Sequence, residues 1–267
     1  MDNVLGDFLR ARRELVTPAE VGLPPGTGLR RVPGLRREEV ALLAGISAEY
    51  YLRLERGRDR NPSAQVVEAL ARVLQLDAES TAYLLALAGP RSPRRPASQQ
   101  VPASIETLLR TINVPALVFN KYSDVVAANA LARELSPDMV PGVNRLRMLF
   151  TDLETRAHHP DWEQYTAAAV AHLRAQADAD DQRLHALIGE LSVESDRFRR
   201  LWARHDVRTA SGGTFVIRHP RVGDIELLID KFAVLGTDGL ETLMLHAEPG
   251  SPSALALAEL AAFASAD

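Results

Sequence analysis

A stretch rich in proline, serine and arginine constrains the fold of this chain more than any other feature. It reads GPRSPRRPASQQVPAS and runs from Gly89 to Ser104. Proline lacks a backbone N–H and interrupts helices and strands, and this composition is typical of an exposed linker. We therefore predict two domains, residues 1–90 and 103–267, joined by a Pro/Arg-rich linker at residues 91–102.

Composition narrows the class of protein. The chain has 267 residues, of which 46% are hydrophobic, and this is enough for two apolar cores. No window approaches the roughly 18 apolar residues that a membrane span needs, and the start MDNVLGDFLR lacks a signal pattern, so we expect a cytoplasmic protein with no membrane partner. The absence of cysteine excludes disulfides, thiolate metal sites and cysteine nucleophiles. The seven histidines include no HExxH spacing, and we expect no metal site.

Charge is distributed unevenly along the chain. Residues 1–100 contain 15 Arg, no Lys and 12 acidic residues, whereas the remainder of the chain is acidic. Eight of those arginines fall between residues 30 and 60. The planar guanidinium suits phosphates and base edges, and the alternative is that these arginines are evenly distributed, solvated surface charges.

Apolar spacing predicts five short helices in the first domain. The first carries Val4, Leu5, Phe8 and Leu9 on one face, with Asn3 or Asp2 as its cap. A loop rich in proline and glycine follows, from Thr17 to Gly34. A tight turn at Gly45 then separates two helices, and the second of these begins at Ser47 and ends at Gly57. The last two helices begin after caps at Ser63 and Asp77.

The second domain is predicted to be α+β, with about five antiparallel strands. The stretch VPALVFNKYSDVVAANALARELS predicts a strand, a polar turn at Lys121 to Asp124, a second strand and then a helix that begins at Asn129. Further strands are expected in GGTFVIRHP, GDIELLIDKFAVLG and GLETLMLHAEP, each bounded by glycine or proline. Amphipathic helices are expected in DWEQYTAAAVAHLRAQ, DQRLHALIGELS and SDRFRRLWARHDV.

The helix pair around Gly45 fits a helix-turn-helix, which is a DNA-reading motif. The stretch REEVALLAGISAEYYLRLERGR, followed by NPSAQVVEALARVLQL, resembles the Xre/Cro/phage-repressor family of transcription regulators. PGLRREEVALLAGIS and YYLRLERGR resemble its actinobacterial branch, whose C-terminal half is the MmyB-like ligand-binding domain. This resemblance implies that the helix after Ser47 lies in the major groove of double-stranded DNA.

The resemblance also implies which residues meet DNA. Ala48, Glu49, Tyr50 and Arg53 would face bases, where an arginine suits guanine, a carboxylate suits cytosine and a methyl suits thymine. The remaining implied contacts are phosphate or helix-start positions: Arg37, Ser47, Arg56, Arg58 and Arg60. The alternative for each arginine is a solvated side chain, and the same choice stays open for Arg30 and Arg31 in the long loop.

Three further residues take structural roles in the family pattern. Glu55 would repel phosphate, and the pattern pairs it with Arg13 of the first helix as a buried or half-buried ion pair. Tyr51 occupies a core position of the recognition helix.

In the second domain, ALVFNKYSDVVAANALARELS resembles the opening of a PAS domain. DWEQYTAAAVAHLRAQ, LSVESDRFRRLWARHDVR and HPRVGDIELLIDKF resemble the MmyB-like domain. The resemblance implies a PAS-like fold with an apolar pocket for a fatty-acid-like ligand and no obligatory cofactor. Candidate lining residues are Phe119, Phe150, Trp162, Tyr165, Phe215, Leu227, Phe232 and Leu243, and candidate partners for an anionic group are Asn129, Arg145, Arg147 and His219. The alternative is that these aromatics and leucines form ordinary core.

These observations predict a sequence-specific DNA-binding transcription regulator that senses a small apolar ligand and acts as a homodimer. A rival interpretation keeps the DNA-binding domain and makes the second domain a protein-docking module with no ligand. A second rival is a lipid hydrolase that uses His219 with Asp224. The chain has no GxSxG, phosphate-binding glycine loop or GxGxxG motif, so we expect no enzyme.

Overall fold

A computed structural model describes residues 3–24, 33–89, 100–177, 181–208 and 212–264. The chain divides into two compact units, Met1–Pro93 with Arg200–Thr209, and Arg94–Arg199 with Ala210–Asp267. Residues 200–209 were predicted to lie in the second domain, and the domain boundaries stay a prediction. Most of the predicted linker, residues 91–99, and both loop arginines, Arg30 and Arg31, lie outside the described residues.

The helices predicted for the first unit are confirmed. They are α1 Val4–Leu15, α2 Arg37–Ala44, α3 Ala48–Glu55, α4 Ala64–Val73 and α5 Ala78–Ala88, with a 3₁₀ turn at Ala19–Val21. Side-chain oxygens of Asn3, Ser47, Ser63 and Asp77 accept backbone N–H groups at the starts of four of these helices, as their sequence positions predict.

All five helices contribute to the core of the first unit. Phe8, Tyr51, Leu54 and Leu70 are buried almost completely. Phe8 meets the edge of the Tyr83 ring at 5.4 Å. The predicted core position of Tyr51 is therefore confirmed.

The carboxylate of Glu55 joins three helices of this unit. It accepts from Nε of Arg13 in α1 at 2.6 Å and from Nε of Arg37 in α2 at 2.5 Å. Arg13 also donates to the carbonyl of Leu35 at 2.9 Å. Burial lowers the pKa of Arg13, but the hydrogen bond and the negative charge of Glu55 outweigh burial and raise it. The predicted Arg13–Glu55 ion pair is confirmed and is buried.

The second unit contains a five-stranded sheet in the order β2-β1-β5-β4-β3, with neighbouring strands antiparallel. Its strands are β1 Ala116–Phe119, β2 Val125–Ala128, β3 Gly212–His219, β4 Gly223–Ala233 and β5 Glu241–His246. The α+β prediction and the five strands are thus confirmed. Among the described residues, no helix combines the length and apolar character that crossing a membrane requires.

The remaining helices follow in chain order: α6 Ala103–Thr111, α7 Ala130–Leu135, α8 Arg145–Thr151, α9 Leu153–Ala157, α10 Trp162–Ala175, α11 Gln182–Glu194, α12 Asp196–Ala203 and α13 Pro252–Ala264. A 3₁₀ turn spans Pro137–Met139. Helices α10, α11 and α12 were predicted, whereas α6, α8, α9 and α13 were not.

The two faces of the sheet pack against different helices. On the inner face, Leu117 and Phe119 of β1 share a buried cluster with side chains of α7 and α13, among them Leu135 and Leu260. On the outer face, Val118 shares a cluster with Leu109 of α6. The alternation of side chains along β1 therefore separates two apolar layers.

We predict that replacing Glu55 destabilises the first unit through Arg13. Glu55→Gln leaves a buried guanidinium without its carboxylate and should cost about 3–5 kcal/mol of unfolding free energy. The double change Glu55→Gln with Arg13→Met should cost less than Glu55→Gln alone, because no buried charge is left unpaired. Chemical denaturation of four proteins, namely the wild type, Glu55→Gln, Arg13→Met and the double variant, measures this difference.

Arg37→Met is the matched control, since the side chain of Arg37 is 43% exposed and that of Arg13 only 6%. Losing a partly exposed pair should cost about 0–1 kcal/mol. Additive losses for Glu55 and Arg13 would contradict the assignment of a buried pair.

Candidate nucleic-acid interface and ligand site

Helices α2 and α3 form the helix-turn-helix, and Gly45 sets the turn between them. Gly45 ends α2 with φ of +69°, a left-handed conformation that favours glycine. The next N–H, that of Ile46, donates to Ala41 at 3.0 Å and closes the turn. Ser47 then caps α3 by accepting from the N–H of Tyr50 at 3.1 Å. The short glycine turn therefore fixes where α3 begins.

Helix α3 has one buried face and one accessible face. Tyr51, Leu54 and Glu55 point into the unit. The residues that the family pattern assigns to DNA lie on the other face or at its start: Ser47, Ala48 and Glu49 are exposed, and Tyr50 and Arg53 are partly exposed. The structure thus places the predicted base-reading residues together on one accessible surface.

Arg53 is oriented by its neighbours on that surface. Its Nε lies 3.5 Å from a carboxylate oxygen of Asp59, and Nη1 lies 3.8 Å from Glu49. Its guanidinium carbon is 5.4 Å from the centre of the Tyr50 ring. These contacts are long and solvated, so they hold the side chain only weakly and leave it available to a stronger partner.

The other arginines surround α3. Arg56 and Arg58 are exposed, and Nε of Arg60 donates to the carbonyl of Gly57 at 3.0 Å. Arg37 is half exposed but already pairs with the buried Glu55. Arg37 consequently has a structural role that the sequence did not predict, in addition to its expected place at the start of α2.

Four of the predicted ligand residues lie in the core of the inner sheet face. Phe119, Phe215, Leu227 and Leu243 belong to the same buried cluster. Tyr165 of α10 stacks on Phe215, with 5.7 Å between ring centres. The structure therefore brings these five together, as side chains packed against one another.

Phe150 and Trp162 belong to a different group. The ring of Phe150 meets the edges of Trp162 and Phe198 at 6.4 Å and 5.2 Å. Nε1 of Trp162 donates to the carbonyl of Leu149 at 2.7 Å, and guanidinium groups of Arg156 and Arg197 lie against its ring. This arrangement uses both the polar and the apolar parts of Trp162 in packing.

Phe232 lies apart from the other predicted lining residues. It is 53% exposed and pairs across the sheet with Thr242, which also pairs with Val118 on the outer face. Because cross-strand partners share a face, Phe232 points away from the layer that contains Phe119. Arg147 is also exposed and forms an ion pair with Glu190. Neither residue joins the inner cluster.

Both ring nitrogens of the buried His219 side chain have hydrogen-bond partners. Its Nε2 is 3.1 Å from the carbonyl of Glu134, and Nδ1 accepts from the N–H of Arg221 at 3.3 Å. Burial lowers the pKa of His219 and favours its neutral form. Asp224 instead binds Arg218 through two hydrogen bonds of 2.7 Å and 2.9 Å. The two residues of the hydrolase alternative therefore have other partners.

A buried polar cluster around Asp138 was not predicted. Its carboxylate lies 3.2 Å from Nε of Arg145 and accepts from the hydroxyl of Ser136. His159 is 2% exposed, lies 3.7 Å from Asp138 and stacks on Tyr165 at 4.8 Å. Arg145 donates to the hydroxyl of Tyr165.

Burial and the neighbouring charges change the pKa values of two groups in this cluster, Asp138 and Tyr165. Burial raises the pKa of Asp138, but the charge of Arg145 and the neighbouring His159 and Ser136 lower it well below its usual range. Burial raises the pKa of Tyr165. His159 is the second of two adjacent histidines in the turn after α9, and its side chain is buried. The ring nitrogens of His159 lack hydrogen-bond partners among the described residues.

Two cavities lie at the β2 edge of the sheet. The larger measures about 700 Å³ and is bounded by α6, the β2–α7 segment and α13. The smaller, of about 410 Å³, is lined by residues that include Asn120, Tyr122 and Arg183. Of the predicted ligand residues, Asn129 alone contributes to the lining of these two cavities.

Comparison with known proteins accounts for both units. Residues 4–84 match a helix-turn-helix domain, and residues 101–260 match the MmyB-like transcription regulator ligand binding domain. A search of curated proteins found no significant match. The second match alone covers more than half of the chain, and the pair of domains is that of a DNA-binding transcription regulator. The chain therefore belongs to the family defined by the MmyB-like transcription regulator ligand binding domain.

Proposed function

We propose that this regulator is a cytoplasmic homodimer that reads a specific DNA operator through α3 and changes its DNA affinity when its C-terminal domain binds a small apolar, fatty-acid-like ligand. The observation that carries the proposal is the accessible face of α3, in a chain that also carries a regulator ligand-binding domain. Linkage supplies the mechanism, since a ligand that prefers one conformation of the protein shifts the population toward it.

The chemistry of α3 supports base reading. Arg53 offers a planar fork to guanine, Glu49 offers an acceptor to the amino group of cytosine, and Ala48 offers a methyl to thymine. Arg56 and Arg58 are exposed beside this face and suit phosphate contacts, which fix register without reading sequence. One such helix reads only a few base pairs, so two half-sites about 34 Å apart favour a dimer.

The second unit supports the PAS-like and sensor parts of the proposal. Helices α7 to α12 are inserted between strands β2 and β3, and the resulting sheet has five antiparallel strands. This agrees with the strand, turn, strand and helix order that resembles a PAS opening. The domain also has a cavity of about 700 Å³, within the range of small-molecule sites.

A docking module is the second candidate function. Two large apolar side chains near the end of β4 favour it, since Phe232 is 53% and Leu235 is 92% exposed. In that case the C-terminal domain would bind another protein through this surface and would need no small ligand.

We predict that Arg53→Ala weakens binding to the preferred operator by about 1–3 kcal/mol and relaxes the preference at one base pair. The operator is first obtained by selection from randomised DNA, and binding is then measured against salt concentration on operator and random sequences. Arg58→Ala is the matched control, because loss of a phosphate contact should weaken all sequences alike and flatten the salt dependence. If Arg53→Ala loses the same binding free energy on operator and on random DNA, Arg53 does not read a base.

We predict that dodecanoic to hexadecanoic acids raise the melting temperature of the protein in a concentration-dependent way. A ligand that binds only the folded state stabilises it, and each buried CH₂ contributes up to about 0.8 kcal/mol. Thermal melts with increasing acid test this, together with mass spectrometry of molecules released from purified protein. If the melting temperature does not move and extraction yields nothing, the docking module replaces the ligand sensor.

A further inference from the structure

The cavity of about 700 Å³ is defined here as the edge cavity, because it lies beside the edge strand β2. Small side chains make its walls. Ala127 and Ala128 come from β2, Ala130 from the start of α7, and Ala261 and Ala264 from α13. Leu109 and Ile112 add an apolar wall from the end of α6. Methyl groups leave space where larger side chains would fill it.

The polar groups of the edge cavity are mainly cationic and amide. Arg133 is exposed, and its side chain forms no ion pair within the described part of the chain. Arg110 donates to the hydroxyl of Thr107 at 3.1 Å, which leaves its charge uncompensated by that bond. Glu106 is the one carboxylate among the lining residues that the structure describes. This described part of the lining thus carries two guanidinium groups for one carboxylate.

Asn129 contributes little polarity to this cavity, although it lines it. Its side-chain oxygen accepts from the N–H groups of Ala132 at 2.9 Å and Ala116 at 3.1 Å. Its side-chain nitrogen donates to the carbonyl of Val114 at 2.7 Å. Because these bonds use both ends of the amide, Asn129 has little capacity left for a ligand, and Asn113, Glu106, Arg110 and Arg133 are the other polar residues of the described lining.

We infer that the edge cavity binds a small amphiphilic anion. Its apolar chain lies on the alanine walls, and its acid group pairs with Arg133. Arg110 adds to the positive electrostatic potential at the acid group. The inference deepens the proposed function, on which it rests, by giving the ligand a location and a charge. Three features carry it: a volume suited to a small molecule, walls of small apolar side chains, and an excess of guanidinium groups.

Calorimetric titration of the full chain with dodecanoate and with 1-dodecanol tests the inference, since the two probes share a chain and differ in charge. Arg133→Gln should lower the affinity for dodecanoate about tenfold or more and leave the affinity for 1-dodecanol unchanged. Arg218→Gln is the matched control, because Arg218 is exposed, lies outside the cavity and pairs with Asp224. It should change neither affinity.

A second variant tests the walls. Ala130 is exposed at the start of α7, so Ala130→Trp should fill the cavity without disturbing a core and weaken both probes at least about tenfold. Ala186→Trp, at an exposed position of α11, should leave both affinities unchanged. Circular dichroism checks that each variant is folded.

The outcomes separate the two proposals. Wild-type binding that both Ala130→Trp and Arg133→Gln leave unchanged would overturn the edge cavity and leave the ligand sensor intact. If Arg133→Gln lowers the affinity for dodecanoate and for 1-dodecanol equally, the proposed pairing of the acid group with Arg133 is wrong. If the wild-type protein binds neither probe, both the edge-cavity inference and the fatty-acid part of the proposed function fail.

Discussion

The buried carboxylate of Glu55 is the interaction on which the DNA-reading unit depends. It ends α3 and accepts from one arginine of α1 and one of α2, so a single charge fixes three helices. A carboxylate taken out of water is costly unless it is paired, and here both of its oxygens have cationic partners. Such a pair adds little net stability over an apolar core, but a packing of α3 that separated Glu55 from Arg13 would leave a buried charge unpaired. We therefore regard Glu55 as the residue that orients the recognition helix.

This anchoring explains how α3 can be both rigid and accessible. Tyr51, Leu54 and Glu55 use one side of the helix for packing, and the opposite side keeps Ala48, Glu49 and Arg53 available. The contacts of Arg53 with Glu49 and Asp59 are long and solvated, so under the proposed function base edges would replace them at low cost. Specific readout needs this combination of a fixed backbone and replaceable side-chain partners.

The parts of the structure that the sequence predicted are those that local patterns determine. Apolar periodicity and caps such as Ser63 and Asp77 located the N-terminal helices, and alternation located the strands. The Arg13–Glu55 pair followed from a family pattern, because no local rule links residues so far apart. Helix α13 was missed, since PSALALAELAAFA is apolar on nearly every side and shows no single face.

The candidate ligand residues show the limit of such patterns. Inward direction on a strand identifies a layer, but it does not say whether the layer is filled or hollow. Phe119 and Leu227 face inward and meet other large side chains, while Phe232 has the alternation that places it on the outer face. His159 is one of two adjacent histidines, and only tertiary packing decides which of them is buried.

The second unit contains its own buried acid, Asp138, and like Glu55 it is a buried carboxylate that pairs with arginine. Asp138 pairs with Arg145, and Tyr165 and His159 pack around them. This cluster fixes the position of α8 and α10 beside the inner sheet face, where Tyr165 stacks on Phe215. Polar partners inside an apolar layer penalise rearrangement, so the inner face resists opening to admit a ligand.

Space for a ligand is therefore easier to provide where side chains are small than where they are large and apolar. Aromatic and leucine side chains were the predicted lining residues, but their volume fills the inner layer of this sheet. Alanines from three separate elements converge at β2 instead, and among the described lining residues two arginines stand beside one carboxylate. Alanine is common in helices and gives no sequence signal of its own, so this convergence becomes visible only when the fold brings β2, α7 and α13 together.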